Sequence, residues 1–328
     1  SMLSDQNPHC RPNSDVVRPF RNGSDLVRKC SNRWIVDFGV DMSEDEAALY
    51  QKPFEYVMTE VRAKRIENND SWRAEHWWLL GRTLASFREA TADLTRYIAT
   101  ARVAKHRVFV WLDAAVLPDS KVIAIAFGSD CAMGVLHSRL HESWTRATCG
   151  WHGKGNDMTY NPTSCFETFP FPWPPGDEPE GDPLVQAIAD AAKTLCELRD
   201  NWLNPPAWTT TDILEFPGTV GGPWDRYVDR DTVRDVHVPG GDTVEVGTVK
   251  YPRIVPKDDD CAKKLKKRTL TNLYNERPAW LDHVHKTLDA AVIKAYAAIT
   301  GDDDSWIPEM TAEEILEKLL VLNVERAR

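Results

Sequence analysis

Residues 169–183, Phe-Pro-Phe-Pro-Trp-Pro-Pro-Gly-Asp-Glu-Pro-Glu-Gly-Asp-Pro, constrain this chain more than any other stretch. Proline fixes φ and lacks an amide hydrogen, so no helix can run through such a segment. Proline-rich segments instead act as extended connectors. The chain is therefore expected to divide here, into units at 1–175 and 176–328. Its 328 residues suffice for two domains.

Before the divide, helix and strand signals mix. Asn22-Gly23 marks a turn, and 34–38 reads as a strand. Ser43 and Glu46 have the spacing of a capping box. Pro53 is expected to split the helix that follows, with a second helix running to about residue 66. A further helix is expected over 83–93, then strands over 107–112 and 121–127 around Pro118-Asp119. Asp130 is expected to cap a helix reaching about residue 148. No strand–helix–strand unit repeats, so the predicted class is α+β, a mixed helix/strand domain followed by a mainly helical one.

In the second unit Pro183 opens a helix carrying Leu184, Ile188, Ala191 and Leu195 at helical spacing. Segment 204–260, rich in proline and glycine, is expected to be irregular, with short strands at best. Amphipathic helices are expected over 278–299 and 311–325.

Charge is uneven. The total is −10, yet residues 1–155 hold 21 Lys/Arg against 19 Asp/Glu, and 156–328 hold 19 against 31. A nucleic-acid surface would thus lie in the first part, or on a local basic cluster in the second. The seven cysteines form no Cys-x-x-Cys pair, which argues against a zinc ribbon or a secreted disulfide framework and for reduced thiols in the cytoplasm. No apolar run approaches the roughly 20 residues of a membrane span, and no signal-peptide pattern opens the chain. Ser1-Met2 before a polar stretch suggests a piece of a longer protein.

Four features could carry chemistry. Asn204-Pro205-Pro206-Ala207 is close to the Asn-Pro-Pro-aromatic loop with which adenine methyltransferases grip a flipped base, but Ala207 cannot stack. The glycine cluster 218–222 leads into Pro223 rather than a helix, so the Gly-rich turn expected of a methyl-donor site is missing. A helix-ending turn is the better reading of Asn204. His137 and His141, four apart, lack the His-Glu-x-x-His order of a zinc helix, so packing or DNA contact is favoured. His283 and His285, two apart, face different ways. The basic residues of 102–155, together with Trp144, Trp151 and His152, suit phosphate and guanine contacts, with an ordinary solvated surface as the alternative. The run 263–268, Lys-Lys-Leu-Lys-Lys-Arg, could form a phosphate-contacting ridge or simply offset Asp258 to Asp260.

Longer strings are more specific. Val-Arg-Pro-Phe-Arg-Asn-Gly-Ser-Asp-Leu (17–26), Trp-Ile-Val-Asp-Phe-Gly (34–39), Arg-Tyr-Ile-Ala-Thr (96–100), Lys-His-Arg (105–107), Gly-Val-Leu-His-Ser-Arg-Leu-His-Glu-Ser-Trp (134–144), Cys-Phe-Glu-Thr-Phe-Pro-Phe-Pro (165–172) and Thr-Leu-Thr-Asn-Leu-Tyr-Asn-Glu-Arg-Pro-Ala-Trp-Leu (269–281) occur in this order. Together they make the chain resemble the target-recognition domain and C-terminus of type IIL, MmeI-like, restriction–modification enzymes. The resemblance implies sequence-specific recognition of double-stranded DNA for adenine-N6 methylation in phage defence. It also implies that the methyltransferase, and a nuclease where present, precede this region in the same polypeptide. S-adenosylmethionine is then expected in the full-length enzyme and no cofactor or catalytic residue here. The chemistry of the side chains nominates Arg102, Lys105, His106, Arg107, Arg139, His141, Arg146 and Lys154 as DNA contacts. The competing expectations are a protein–protein scaffold of a phage-defence system and a self-contained methyltransferase.

Overall fold

The computed structural model describes residues 2–28, 31–67, 69–302 and 304–326; Cys30 lies outside them. Strand β1 (Val17–Arg21) leads into the short helix α1 (Gly23–Val27) and then β2 (Arg33–Val36). The Asn22 side chain accepts from the amides of Ser24 and Asp25, and Asp25 returns a bond to the Asn22 amide. The predicted turn is therefore a helix N-cap, satisfying donors that the first helical turn leaves open. Ser43 and Glu46 make the expected capping box at the start of α2 (Glu44–Ala48). Helix α3 (Gln51–Glu60) carries Pro53 in its first turn, where no amide donor is needed, so the segment divides just before the proline as expected, although the second helix breaks again at Val61. Helices α4 (Arg62–Ile66), α5 (Ser71–Glu75) and α6 (Ala85–Thr91) complete this part.

Strand β3 (Arg96–Ala101) is followed by β4 (Val103–Ala104), β5 (Phe109–Asp113), β6 (Leu117–Pro118) and β7 (Val122–Ile125). The two predicted strands, β5 and β7, do not pair with each other; both flank β3 in an antiparallel sheet. Strand β6 joins β1 and β2 instead. The expected single helix over 130–148 is two, α7 (Asp130–His137) and α8 (Arg139–Thr148). Ser129, not Asp130, caps the first, and Ser138 leaves the helical conformation to cap the second. Strands β8 (Gly150–His152) and β9 (Asp157–Thr159) form a hairpin that pairs with β4.

Residues 176–181 are largely exposed, as the proline-glycine run suggests. Helix α9 (Pro183–Leu203) then begins with Pro183 in its first turn and Asp182 as N-cap. The expectation of an irregular 204–260 is overturned. Strands β10 (Thr209–Thr219), β11 (Val228–His237) and β12 (Thr243–Pro256) form an antiparallel sheet ordered β10-β12-β11. Helices α10 (Asp259–Leu265), α11 (Leu270–Glu276), α12 (Ala279–Thr300) and α13 (Ala312–Arg326) end the chain. None of the described helices is long and apolar enough to cross a membrane. The class is α+β.

The apolar core runs across the proline-rich divide. Phe109, Met133 and Leu136 pack in one cluster with Ile188, Leu195, Leu288 and Leu319. A second cluster joins Val17 and Phe38 to Phe216, Trp224 and Val249 of the later sheet. The 1–175 and 176–328 segments thus share their cores. At the crossing of α7, α9 and α12, a Cβ added to Gly134 would lie 2.6 Å from Ile188 Cγ2 and 3.1 Å from both Ile188 O and Leu288 Cδ1. Ala favours a helix over Gly by about 1 kcal/mol, but overpacking costs about 1–3 kcal/mol, and β-branched Ile188 yields poorly. Gly134→Ala is therefore expected to lower stability by about 1 kcal/mol in urea unfolding. A variant more stable than the parent would show that this crossing has slack.

Candidate nucleic-acid interface

The hairpin β8–β9 turns through Gly153, Lys154, Gly155 and Asn156, all exposed. Gly153 and Gly155 have φ of +67° and +84°, a region that favours glycine, so the turn can present Lys154 at its tip. Beside it Trp151 is 46% exposed and Val103 of β4 is 40% exposed. Arg102 is also exposed, and its backbone is fixed on both sides: its amide donates to Lys121 O at 2.8 Å, and Tyr160 N donates to its carbonyl at 2.7 Å. Neither Arg102 nor Lys154 has a side-chain hydrogen bond or ion pair among the described residues. Two uncommitted cations and an exposed indole therefore share one small sheet. The two-stranded hairpin β8–β9 at its edge is the kind of ribbon that a major groove accepts.

The other nominated residues fall elsewhere. Lys105 Nζ and His106 Nε2 both reach Asn275 Oδ1, at 2.6 and 2.9 Å, fastening this segment to the end of α11. Arg146 is paired with Glu142 one helical turn away at 2.7 Å, on the surface of α8. Arg139 donates to the carbonyls of Pro308 and Met310, at 2.5 and 2.7 Å, and so anchors the approach to α13.

Arg107 is buried and donates to Thr100 Oγ1 at 3.0 Å, to Met158 O at 2.9 Å and to Ala101 O, with its guanidinium over the Tyr160 ring. His141 is buried too; Nδ1 donates to Leu136 O at 2.9 Å and Nε2 accepts from Tyr160 Oη at 3.1 Å. Burial pushes its pKa down to about 3, so the ring is neutral. Arg107 and His141 consequently work as framework beneath the exposed ribbon. His137 does not share a helix with His141, because Ser138 interrupts, and it is buried against Phe109 and Arg199.

The run 263–268 is mostly committed. Lys263 pairs with Asp260 at 3.0 Å, Lys264 lies over Trp208, and Arg268 stacks on Trp202 and Trp208. Arg268 ends just before α11, whereas Lys105 and His106 hold its far end. The two basic segments weighed as alternatives are therefore joined by one seven-residue helix, about 10 Å long. Sequence spacing gave no sign of this, since 170 residues separate Lys105 from Asn275.

Asn204 ends α9, donating its amide to Asp200 O at 2.8 Å, so Asn204-Pro205-Pro206 is a helix-ending turn. The glycine cluster 218–222 forms the bend between β10 and Trp224, and a Cβ at Gly218 would strike Val249 Cγ2 at 2.5 Å. This is close sheet packing rather than an open cradle before a helix, and it does not fit a methyl donor's adenosine.

Comparison with known proteins agrees with the strings that carry the resemblance. No curated protein matches this chain. Among solved structures, the type IIL restriction–modification enzyme MmeI in complex with DNA is similar in fold, with TM-score 0.58 and 16% sequence identity. The similarity covers 96% of this chain but 31% of that one, so the chain spans about a third of its structural relative. The family model described as "MmeI, target recognition domain" matches residues 4–173. That match takes in β1 through the hairpin and reaches the Phe-Pro-Phe-Pro segment, over half of the 328 residues, and on it the chain belongs to the MmeI target-recognition-domain family.

Proposed function

We propose that this chain reads the sequence of double-stranded DNA for a type IIL restriction–modification enzyme, and that the hairpin 150–159 with Arg102 is the part that enters the groove. Family membership carries the reading, and the uncommitted Arg102 and Lys154 beside Trp151 support it. Transfer of a methyl group to adenine N6, and the S-adenosylmethionine it consumes, belong to other parts of the parent polypeptide, which is cytoplasmic and acts in phage defence. The chain's own work is to bind and orient the duplex. Arg102 and Lys154 supply charge toward phosphates or guanine edges, while Arg107 and His141 hold the supporting strands.

The test is titration of labelled duplexes against the chain at several salt concentrations, after selection of preferred sequences from a random pool. Arg102→Ala and Lys154→Ala are each expected to change binding in one of two ways. Loss of a phosphate contact weakens all sequences alike and makes the salt dependence shallower by about one unit. Loss of a guanine contact costs about 1–3 kcal/mol on the selected sequence alone. Wild-type affinity, slope and sequence preference in the double variant would remove the hairpin from the interface. A chain that enriches no sequence and captures only protein partners would favour a scaffold instead.

A further inference from the structure

Between the first sheet and the later ribbon lies a cleft of about 400 Å³. Its floor and walls include Trp34 of β2, Trp111 of β5 and Tyr251 of β12. Arg21, Arg28, Arg253 and Arg268 line it, against one carboxylate, Asp25. Asp25 is already engaged by the Asn22 amide, by the amide and hydroxyl of Ser31, and by Arg33 at 3.4 Å. Arg253 is paired with Asp212. Arg21, Arg28 and Arg268 have no carboxylate within ion-pair reach among the described residues.

Three guanidiniums thus line the cleft without an ion-pair partner among the described residues. Arg268 is held in place by stacking on Trp202 and Trp208, 4.5 and 5.0 Å from their ring centroids, and by donation to Trp202 O at 3.3 Å. Arg21 donates to Phe20 O at 3.1 Å. Arg28 is exposed at the rim, just past α1. Like charges brought together without a counter-ion repel one another, and a guanidinium fork matches phosphate oxygens. The volume is in the range of sites that enclose one small ligand.

We infer that this cleft binds a phosphodiester of the DNA backbone, so that Arg21, Arg28 and Arg268 hold the strand while the hairpin reads it. The inference rests on the DNA-recognition reading above. It accounts for Arg268, the member of the basic run that lines the cleft, with Tyr251 of the later sheet as part of the wall. The cleft lies near the start of α11, and the Lys105–Asn275 junction with the hairpin's sheet lies at its end, so both contacts can act on one duplex.

The experiment uses the whole chain, a labelled duplex of mixed sequence and a separate titration with thymidine 5′-monophosphate or inorganic phosphate. Arg21→Ala and Arg28→Ala are each expected to weaken duplex binding about tenfold, equally for selected and unrelated sequences, and to reduce the salt slope by about one unit each. The midpoint of thermal unfolding checks that each variant folds. Free phosphate and the mononucleotide are expected to compete only at millimolar concentration. If Arg102→Ala and Lys154→Ala weaken binding but Arg21→Ala and Arg28→Ala do not, the cleft is not a backbone site, while DNA recognition stands. A mononucleotide that binds at micromolar concentration and leaves duplex affinity unchanged would make the cleft a nucleotide site and overturn the inference. Absence of duplex binding by the parent chain at low salt would remove the DNA reading and the cleft's role with it.

Discussion

Truncation of Arg199 to Ala is expected to cost about 3 kcal/mol of stability and to loosen both halves of the chain together. Arg199 lies on α9 and is 3% exposed. Its Nη1 donates to His137 Nε2 at 2.7 Å on α7, and its Nη2 donates to Phe109 O at 2.9 Å on β5. Tyr274 Oη of α11 stands 3.4 Å from Nη1. The partners are neutral; among the described residues no carboxylate forms an ion pair with it. A large-to-small change in a core costs about 2–5 kcal/mol, and an abandoned buried carbonyl adds about 1–3 kcal/mol. Relief from burying an unpaired cation, whose Nε has no partner, offsets part of this.

Arg199→Met separates these contributions, because it refills the space and removes the charge. It is expected to lose about 1 kcal/mol. Urea unfolding followed by far-ultraviolet dichroism and by tryptophan fluorescence should give coincident curves for the parent, since Arg199 and the apolar core cross residues 176–183. An Ala variant within about 0.5 kcal/mol of the parent would mean that the solvation cost of the cation cancels its contacts. Two separated transitions would mean that the halves fold independently despite their shared core.

The helix starts were legible because capping is local chemistry. Ser43 with Glu46, Pro183 and Pro278 declare themselves within four residues, and each stands at or beside a helix start. The later sheet was not legible, because its strands are exposed along much of their length. Thr210, Thr211, Ile213 and Glu215 of β10 all face solvent, so the apolar alternation that marks a half-buried strand is diluted. Pro217, Gly218, Gly247 and Pro252 inside the strands also read as breaks. A usable signal existed at Pro239-Gly240-Gly241-Asp242, flanked by Val236 and Val244, which pair across β11 and β12.

The site divided along a similar line. That the first half holds a basic segment could be read from composition, but which of its cations stay without a protein partner could not. Arg102 and Arg107 are five residues apart; one is exposed and the other sits beneath Tyr160. That difference is set by Met158, Thr100 and Tyr160, which the chain brings in from both sides of the segment.

Mild acid is expected to destabilise this protein, because its core holds three histidines in neutral form. His137, His141 and His285 are buried, and desolvation lowers the pKa of each, with the Arg199 charge adding to the effect at His137 and His285. The hydrogen bonds agree: Nδ1 of His137 faces Met133 O at 3.1 Å, leaving Nε2 to accept from Phe109 N and Arg199. His141 and His285 are held at about 3 against an ordinary 6.5. Their unfolded forms therefore take up protons first, and stability falls as pH drops below about 6.5, continuing until about pH 3. At pH 5 each of these two costs about 2 kcal/mol, and His137 acts in the same direction. Asp15 and Asp289 oppose this. Burial raises both to about 6, so the folded state binds their protons first and regains about 1 kcal/mol each by pH 5, and Asp200, also raised by burial, acts in the same direction. The two histidines alone outweigh the two acids, and His137 widens the gap. Unfolding midpoints measured from pH 7 to pH 4.5 should thus fall with acidity, and nitrogen chemical shifts of the three rings should stay those of neutral imidazole to below pH 5. Rings that titrate near 6.5 in the folded protein would show that water reaches this core, and the predicted acid sensitivity would be lost with them.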